Sequence, residues 1–226
     1  MGHGLGLCQY GADKMAKNGY TFMDILEYYY TGVSIREVKL PCIKKPLLGK
    51  IIVIDPGHGG KDLGHKGVCI GLLEKDIVLE LSLKLKERLE GLGAIIYLTR
   101  EEDKKTPLDE RVAKANRIRP DFFISIHMDY YPNSGMKGCE MFYFRGDIES
   151  KKLGLYILEN LKDEKILVRG IKEGSFYIFR GVNVSSLLIE LGYLSNRLEE
   201  MKFKDENYIN SMINGIQKGI LEYFKY

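Results

Sequence analysis

Apolar positions along this chain fall into short continuous runs separated by longer stripes of helical period. Ile51-Ile52-Val53-Ile54 is a run of β-branched aliphatics, which fits a buried strand of a parallel or mixed sheet. The run stops at Asp55-Pro56-Gly57-His58-Gly59-Gly60, where proline and glycines predict a backbone turn at the carboxyl edge of the sheet. Residues 61–73 are polar and glycine-spaced and read as a surface loop. From Glu74, Ile77, Leu81, Leu85 and Leu89 recur at every fourth position and predict a helix to about Glu90, closed by Gly91 and Gly93. Residues 94–98 read as a second buried strand, and residues 108–119 as a helix set between Pro107 and Pro120. Residues 122–126 form a third strand ending in His127. Residues 140–144 alternate as a strand, residues 150–161 read as a helix, and residues 186–189 form a further buried strand ending in Glu190. An amphipathic helix over 208–224 closes the chain. This succession predicts an α/β fold: a single twisted, mostly parallel or mixed sheet with helices on both faces.

Ahead of that pattern lies a short helical N-terminal segment. Glycines among residues 2–11 lead into a helix with Ala12, Met15 and Ala16 on its apolar face; Gly19 ends it, and Thr21 can cap a second helix through Tyr30. The segment is too short to bury a core alone. No strand precedes its glycines, which argues against a dinucleotide loop. Pro41, Pro46, Gly49 and several lysines then read as a linker. The expected organisation is a segment over 1–36, a linker over 37–49 and a main domain over 50–226.

Composition narrows the class. Of 226 residues, 45% are hydrophobic and 29% charged, the balance of a globular protein. The formal net charge of +3 is too mild to argue for nucleic acid, while it suits an anionic polymer. No apolar run is long enough for a membrane-spanning helix. Met1-Gly2-His3-Gly4 lacks the basic start and apolar core of a secretory leader. Cys8, Cys42, Cys69 and Cys139 show no C-x-x-C spacing, so neither a disulfide framework nor an all-cysteine zinc site is expected.

The candidate chemistry sits where strands end. In an open α/β sheet such positions point toward a shared crevice, and here they hold His58, His127 and Glu190. Glu74 stands at a helix start beside the loop that carries His58. Two histidines and a carboxylate make a zinc site with a free position for water, and a second carboxylate can take that water's proton. Taken singly, each residue could be a solvated strand-end group, and His58 a mere loop cap. Their joint occurrence favours a site. Glu190 follows three apolar residues and should be at least partly buried, where a carboxylate needs a partner.

Two resemblances follow from these residues. IIVIDPGHGGKDLGHKG, LLEKDIVLEL, PLDERVAKANRIRPDFFISIHMD and LLIELGYLSN resemble, in order and spacing, the motif blocks of the zinc-dependent N-acetylmuramoyl-L-alanine amidases of the amidase-3 family. That resemblance implies Zn2+ held by His58, Glu74 and His127, Glu190 as catalytic base, and hydrolysis of the amide joining N-acetylmuramic acid to L-alanine in peptidoglycan. Met128-Asp129-Tyr130, Ser185, Ser186 and His65 depart from the family's usual residues. His58 is preferred over His65 as ligand because it stands at the strand end. Arg111 and Asn116 match recurrent helix positions and are expected to brace the sheet edge. GHGLGLCQYGADKMAKNGYTFMDILEYYYTGVSI is similar to the C-terminal end of the SpoIID/LytB sporulation proteins, without the large upstream part of that family. His3 and Cys8 are candidates for a second metal site, although two ligands are too few and local packing is the simpler reading.

Other classes fit less well. No G-x-S-x-G elbow surrounds a serine, and Asp55-Pro56-Gly57 lacks the ending of a phosphate loop, which argues against a serine hydrolase and an NTPase. A zinc carboxypeptidase acting on stem peptides, or a catalytically inactive wall-binding protein, remain as alternatives. A peptidoglycan substrate implies an extracytoplasmic setting at the cell wall or forming spore, and the chain is expected to act as a monomer.

Overall fold

A computed structural model describes residues 7–32, 45–133 and 135–225. His3 and Cys42 lie outside them. The chain divides into two compact units, residues 1–43 and 44–226. In the first, α1 (Gln9–Lys17) precedes α2 (Phe22–Tyr29). Thr21 caps α2 in a reciprocal box: its side chain accepts from the Asp24 backbone N–H, and its own N–H donates to the Asp24 carboxylate at 2.7 Å. Gly19, at φ 89°, takes the left-handed conformation that ends α1. Cys8 is exposed.

The second unit runs β1 (Ile51–Pro56), α3 (Glu74–Gly91), β2 (Ile95–Leu98), α4 (Leu108–Ile118), β3 (Phe122–Asp129), β4 (Cys139–Phe144), α5 (Ile148–Asp163), β5 (Val168–Gly174), α6 (Tyr177–Gly181), β6 (Ser186–Tyr193), α7 (Arg197–Lys202) and α8 (Glu206–Phe224). Its six strands form one mixed sheet in the order β2-β1-β3-β6-β4-β5. β1, β2, β3 and β6 are parallel, whereas β4 runs antiparallel to β6 and parallel to β5. The α/β architecture expected from the sequence is therefore present.

Side-chain alternation divides the sheet into two faces. Ile52, Ile54, Ile124, Ile126, Leu187 and Ile189 pack with α3, α5 and α8 in the larger core. Val53, Phe123 and Leu188 pack with Ala115 of α4 and with Ile178 and Phe179 of α6 in a smaller one. Continuing the same period, Asp55, Ser125, His127 and Glu190 project from this second face. The helices covering it leave the carboxyl ends of the strands open.

Several boundaries differ from the sequence reading. β1 continues through Pro56, β3 through Asp129 and β6 through Tyr193, so His127 and Glu190 lie within strands. Their backbones stay in the ladder, with His127 opposite Glu190, and the register shifts only between His127 and Asp129. Pro56 is tolerated because its register partner lies on β3 and β2 has already ended at Leu98. Residues 46–49, within the span read as linker, form a turn whose Leu47 is fully buried and donates its N–H to Leu92 O at 3.1 Å. Among the described residues, no helix is long and apolar enough to cross a membrane.

Candidate metal centre

The site begins with the turn after β1. His58 has φ 57°, a left-handed conformation that is unusual for a residue with a side chain. Arginines hold this turn by its carbonyls. Arg100 donates to Pro56 O at 3.0 Å and to Gly57 O at 2.7 Å, and Arg111 donates to Pro56 O and His58 O, each at 2.6 Å. Gly57 allows close approach, since a Cβ there would run into the His127 ring.

Beneath the turn, Arg111 also donates to Asp55 Oδ1 at 2.6 Å. Asp55 further accepts from Thr99 Oγ1 at 2.5 Å and from Ser125 Oγ at 2.8 Å. Burial opposes the Asp55 charge, but the Arg111 guanidinium and these hydrogen bonds hold its carboxyl below the usual range. Arg111 thus braces the site, and Asn116 does likewise by donating to Gly181 O and accepting from Asn183 N, both at 2.8 Å. Replacing Arg111 with methionine should destabilise the fold by roughly 3–5 kcal/mol, because Asp55 is left buried without a counter-charge. Urea unfolding measures this. The double replacement Arg111→Met/Asp55→Leu should cost less than Arg111→Met alone, and a larger cost would refute the ion-pair account.

Glu74, the first residue of α3, is fully buried. Its Oε1 accepts from Met128 N at 3.0 Å and its Oε2 from His65 N at 2.8 Å. His127 Nδ1 lies 2.9 Å and His58 Nε2 3.1 Å from Glu74 Oε1. Burial works against the Glu74 charge, yet hydrogen bonds from both rings outweigh it and keep the carboxyl far below its ordinary value. Burial likewise works against a charged His58, and Glu74 and Asp62 overcome it, so its pKa is raised.

The three residues bring one donor atom each to within 4.8 Å of one another. The imidazoles meet edge to face, with centroids 5.0 Å apart. Two imidazole nitrogens and a carboxylate oxygen suit a zinc-class cation in chemistry and number. His65, by contrast, is exposed and stacks on Tyr130 at 5.3 Å.

Glu190 lies one strand from His127 and lines the same cleft of about 420 Å³, together with His58, Asp62, Thr106 and Tyr177. Its Oε2 is buried and has no hydrogen-bond partner among the described residues. Burial, followed by the charges of Glu74, Asp129 and Glu140, pushes its carboxyl well above the ordinary value. An orphaned carboxylate oxygen beside three converging metal donors marks a place for a proton or for a molecule that supplies one.

Two supporting groups left little trace in the sequence. Asp62 Oδ1 lies 2.8 Å from His58 Nδ1 and so directs the opposite ring nitrogen toward Glu74. Glu200, buried on α7, accepts from the backbone N–H groups of Cys69, Ile70 and Leu72 at 2.5, 3.0 and 3.0 Å, fixing the loop that delivers Glu74. The first was approachable from the H-x-x-x-D spacing of His58 and Asp62. The second depends on a contact between distant segments.

A family model described as N-acetylmuramoyl-L-alanine amidase matches residues 52–222. The germination-specific N-acetylmuramoyl-L-alanine amidase of Bacillus subtilis is 34% identical over 195 residues, 79% of this chain and 81% of the relative. The catalytic domain of CwlV, an amidase of the same description from Paenibacillus polymyxa var. colistinus, superposes with a TM-score of 0.73 at 34% identity, over 78% of this chain and 98% of that one. The CwlD amidase of Clostridioides difficile, solved in complex with the GerS lipoprotein, gives a TM-score of 0.74 at 33% identity, covering 78% and 99%. With the sheet order and the clustered donors alongside these matches, the chain belongs to the N-acetylmuramoyl-L-alanine amidase family.

Proposed function

We propose that this chain hydrolyses the amide between N-acetylmuramic acid and the L-alanine of the peptidoglycan stem peptide, with His58, Glu74 and His127 holding Zn2+ and Glu190 acting as general base. The convergence of His58 Nε2, Glu74 Oε1 and His127 Nδ1 beside the unpartnered Glu190 Oε2 carries this reading. Zinc, when bound, supplies Lewis acidity that polarises a carbonyl and lowers the pKa of a coordinated water. Glu190 accepts the proton of the attacking water at its carboxylate and returns it to the departing alanine amine. Asp62 fixes the His58 ring, and the arginine-held turn keeps that ring in place.

The germination and cell-wall roles in the relatives' names support an extracytoplasmic setting at the wall or forming spore. Within this proposal, residues 1–36 are a SpoIID/LytB-like segment, residues 37–49 a linker and residues 50–226 the catalytic domain. Digestion of purified peptidoglycan followed by mass spectrometry tests the activity. The expected products are glycan bearing free muramyl lactyl carboxylates and peptides that begin with L-alanine, lost after chelation and restored by zinc. Peptides shortened from the carboxyl end would point instead to a carboxypeptidase, and binding without release of amines to an inactive wall-binding protein.

A further inference from the structure

Beyond Glu190, the open face of the sheet continues into charge that the hydrolytic step does not use. Glu140 on β4 stands directly opposite Glu190 on β6, which puts both side chains on one face, with Cβ atoms roughly 5 Å apart. Glu140 is almost fully buried. Two cations from the edge strand β5 converge on its Oε1: Lys172 Nζ at 2.6 Å and Arg169 Nε at 3.6 Å. Among the described residues neither has a second carboxylate within ion-pair distance, so the trio carries a formal charge of +1, with Asp129 also acting on the neighbouring Tyr193. The Arg169 guanidinium also lies 5.6 Å from the ring centroid of the buried Tyr193, which limits its movement. Both cations stay open to solvent, with side-chain exposures of 31% for Arg169 and 56% for Lys172. The result is a cationic pair on the edge strand of the sheet, two strands from the proposed base and joined to the strand beside it through Glu140.

Resting on the proposed amidase reaction, we infer that Arg169 and Lys172 bind a carboxylate of the stem peptide, namely the free α-carboxylate of the glutamyl residue that follows L-alanine. The spacing suits it. Two extended residues span on the order of 7 Å, and Lys172 reaches back from β5 to within one strand of Glu190. A second source of the same chemistry is the carboxylate of a diaminopimelate at the third residue.

The test uses the zinc-loaded full chain and two N-acetylmuramoyl tripeptides ending in L-lysine amide. One carries the glutamyl α-carboxylate and the other the α-carboxamide. The acid should be cleaved with a KM about tenfold lower at similar kcat, and its released tripeptide should bind more tightly by a similar factor. Lys172→Ala and Arg169→Ala should each erode that preference by raising KM for the acid alone, while Lys172→Arg should preserve it. Equal KM and equal binding for the two forms in the wild-type protein would overturn the inference without any variant. So would a preference that appears only when diaminopimelate replaces lysine. Absence of cleavage with preserved acid-over-amide binding would strike the amidase reading and leave the carboxylate site standing.

Discussion

Glu190→Gln is expected to retain stoichiometric zinc and native unfolding behaviour, while kcat on muramyl peptides falls by roughly 10³-fold. Glutamine keeps the side-chain volume and a carbonyl oxygen, but it cannot accept and return a proton. Glu190 supplies no atom to the cluster of His58, Glu74 and His127, so metal affinity should be unmoved. The substitution also neutralises a carboxylate already held above its ordinary pKa by burial and by Glu74, Asp129 and Glu140, so stability should not suffer. The pH profile gives a second readout. A base must be ionised, so kcat/KM should rise with pH as the raised Glu190 group loses its proton, and that acid limb should vanish in Glu190→Gln. A variant that keeps turnover and an unchanged acid limb would remove Glu190 from the chemistry.

The sequence exposed the elements whose burial is nearly complete. β1, β3 and β6 are short runs of large apolar residues, and α3 has its apolar residues at every fourth position. It concealed β5, α6 and α7. β5 is a half-exposed edge strand reading VRGIKEG, with a glycine at φ 134° and no alternation for a period to reveal. α6 and α7 span five and six residues, too few for a helical stripe to repeat.

The site divides in the same way. His58, His127 and Glu190 each follow an apolar run, and Glu74 opens a helix, so all four stood out as polar groups in sheltered positions. Arg100 and Glu200 did not. Their partners are backbone carbonyls and N–H groups of a turn and a loop far along the chain, and such pairings become visible only once the chain is folded. Arg169 and Lys172 were hidden for the same reason as the strand that carries them.

His127→Ala and His58→Ala should each weaken zinc binding by roughly 10²-fold or more, if the ~10–16 kcal/mol of a four-ligand zinc site is shared about evenly among its ligands. Competition against a chelator of known affinity measures this without any turnover assay. Stability provides an independent check. A metal that binds only the folded chain adds about 2.7 kcal/mol when present at a hundred times its dissociation constant. Wild-type protein should therefore show a zinc-dependent rise in unfolding midpoint that both variants lack at the same zinc concentration. Asp62→Asn should fall between them and the wild type. It leaves all three donors in place and loosens only the partner at His58 Nδ1, an outer contact whose loss typically costs 10–100-fold in affinity. That ordering separates a metal centre from a network of hydrogen bonds. If Glu74 merely ties the two rings together, every one of these variants would lower the midpoint whether or not zinc was added. Full zinc affinity in His127→Ala would therefore end the case for a shared cation.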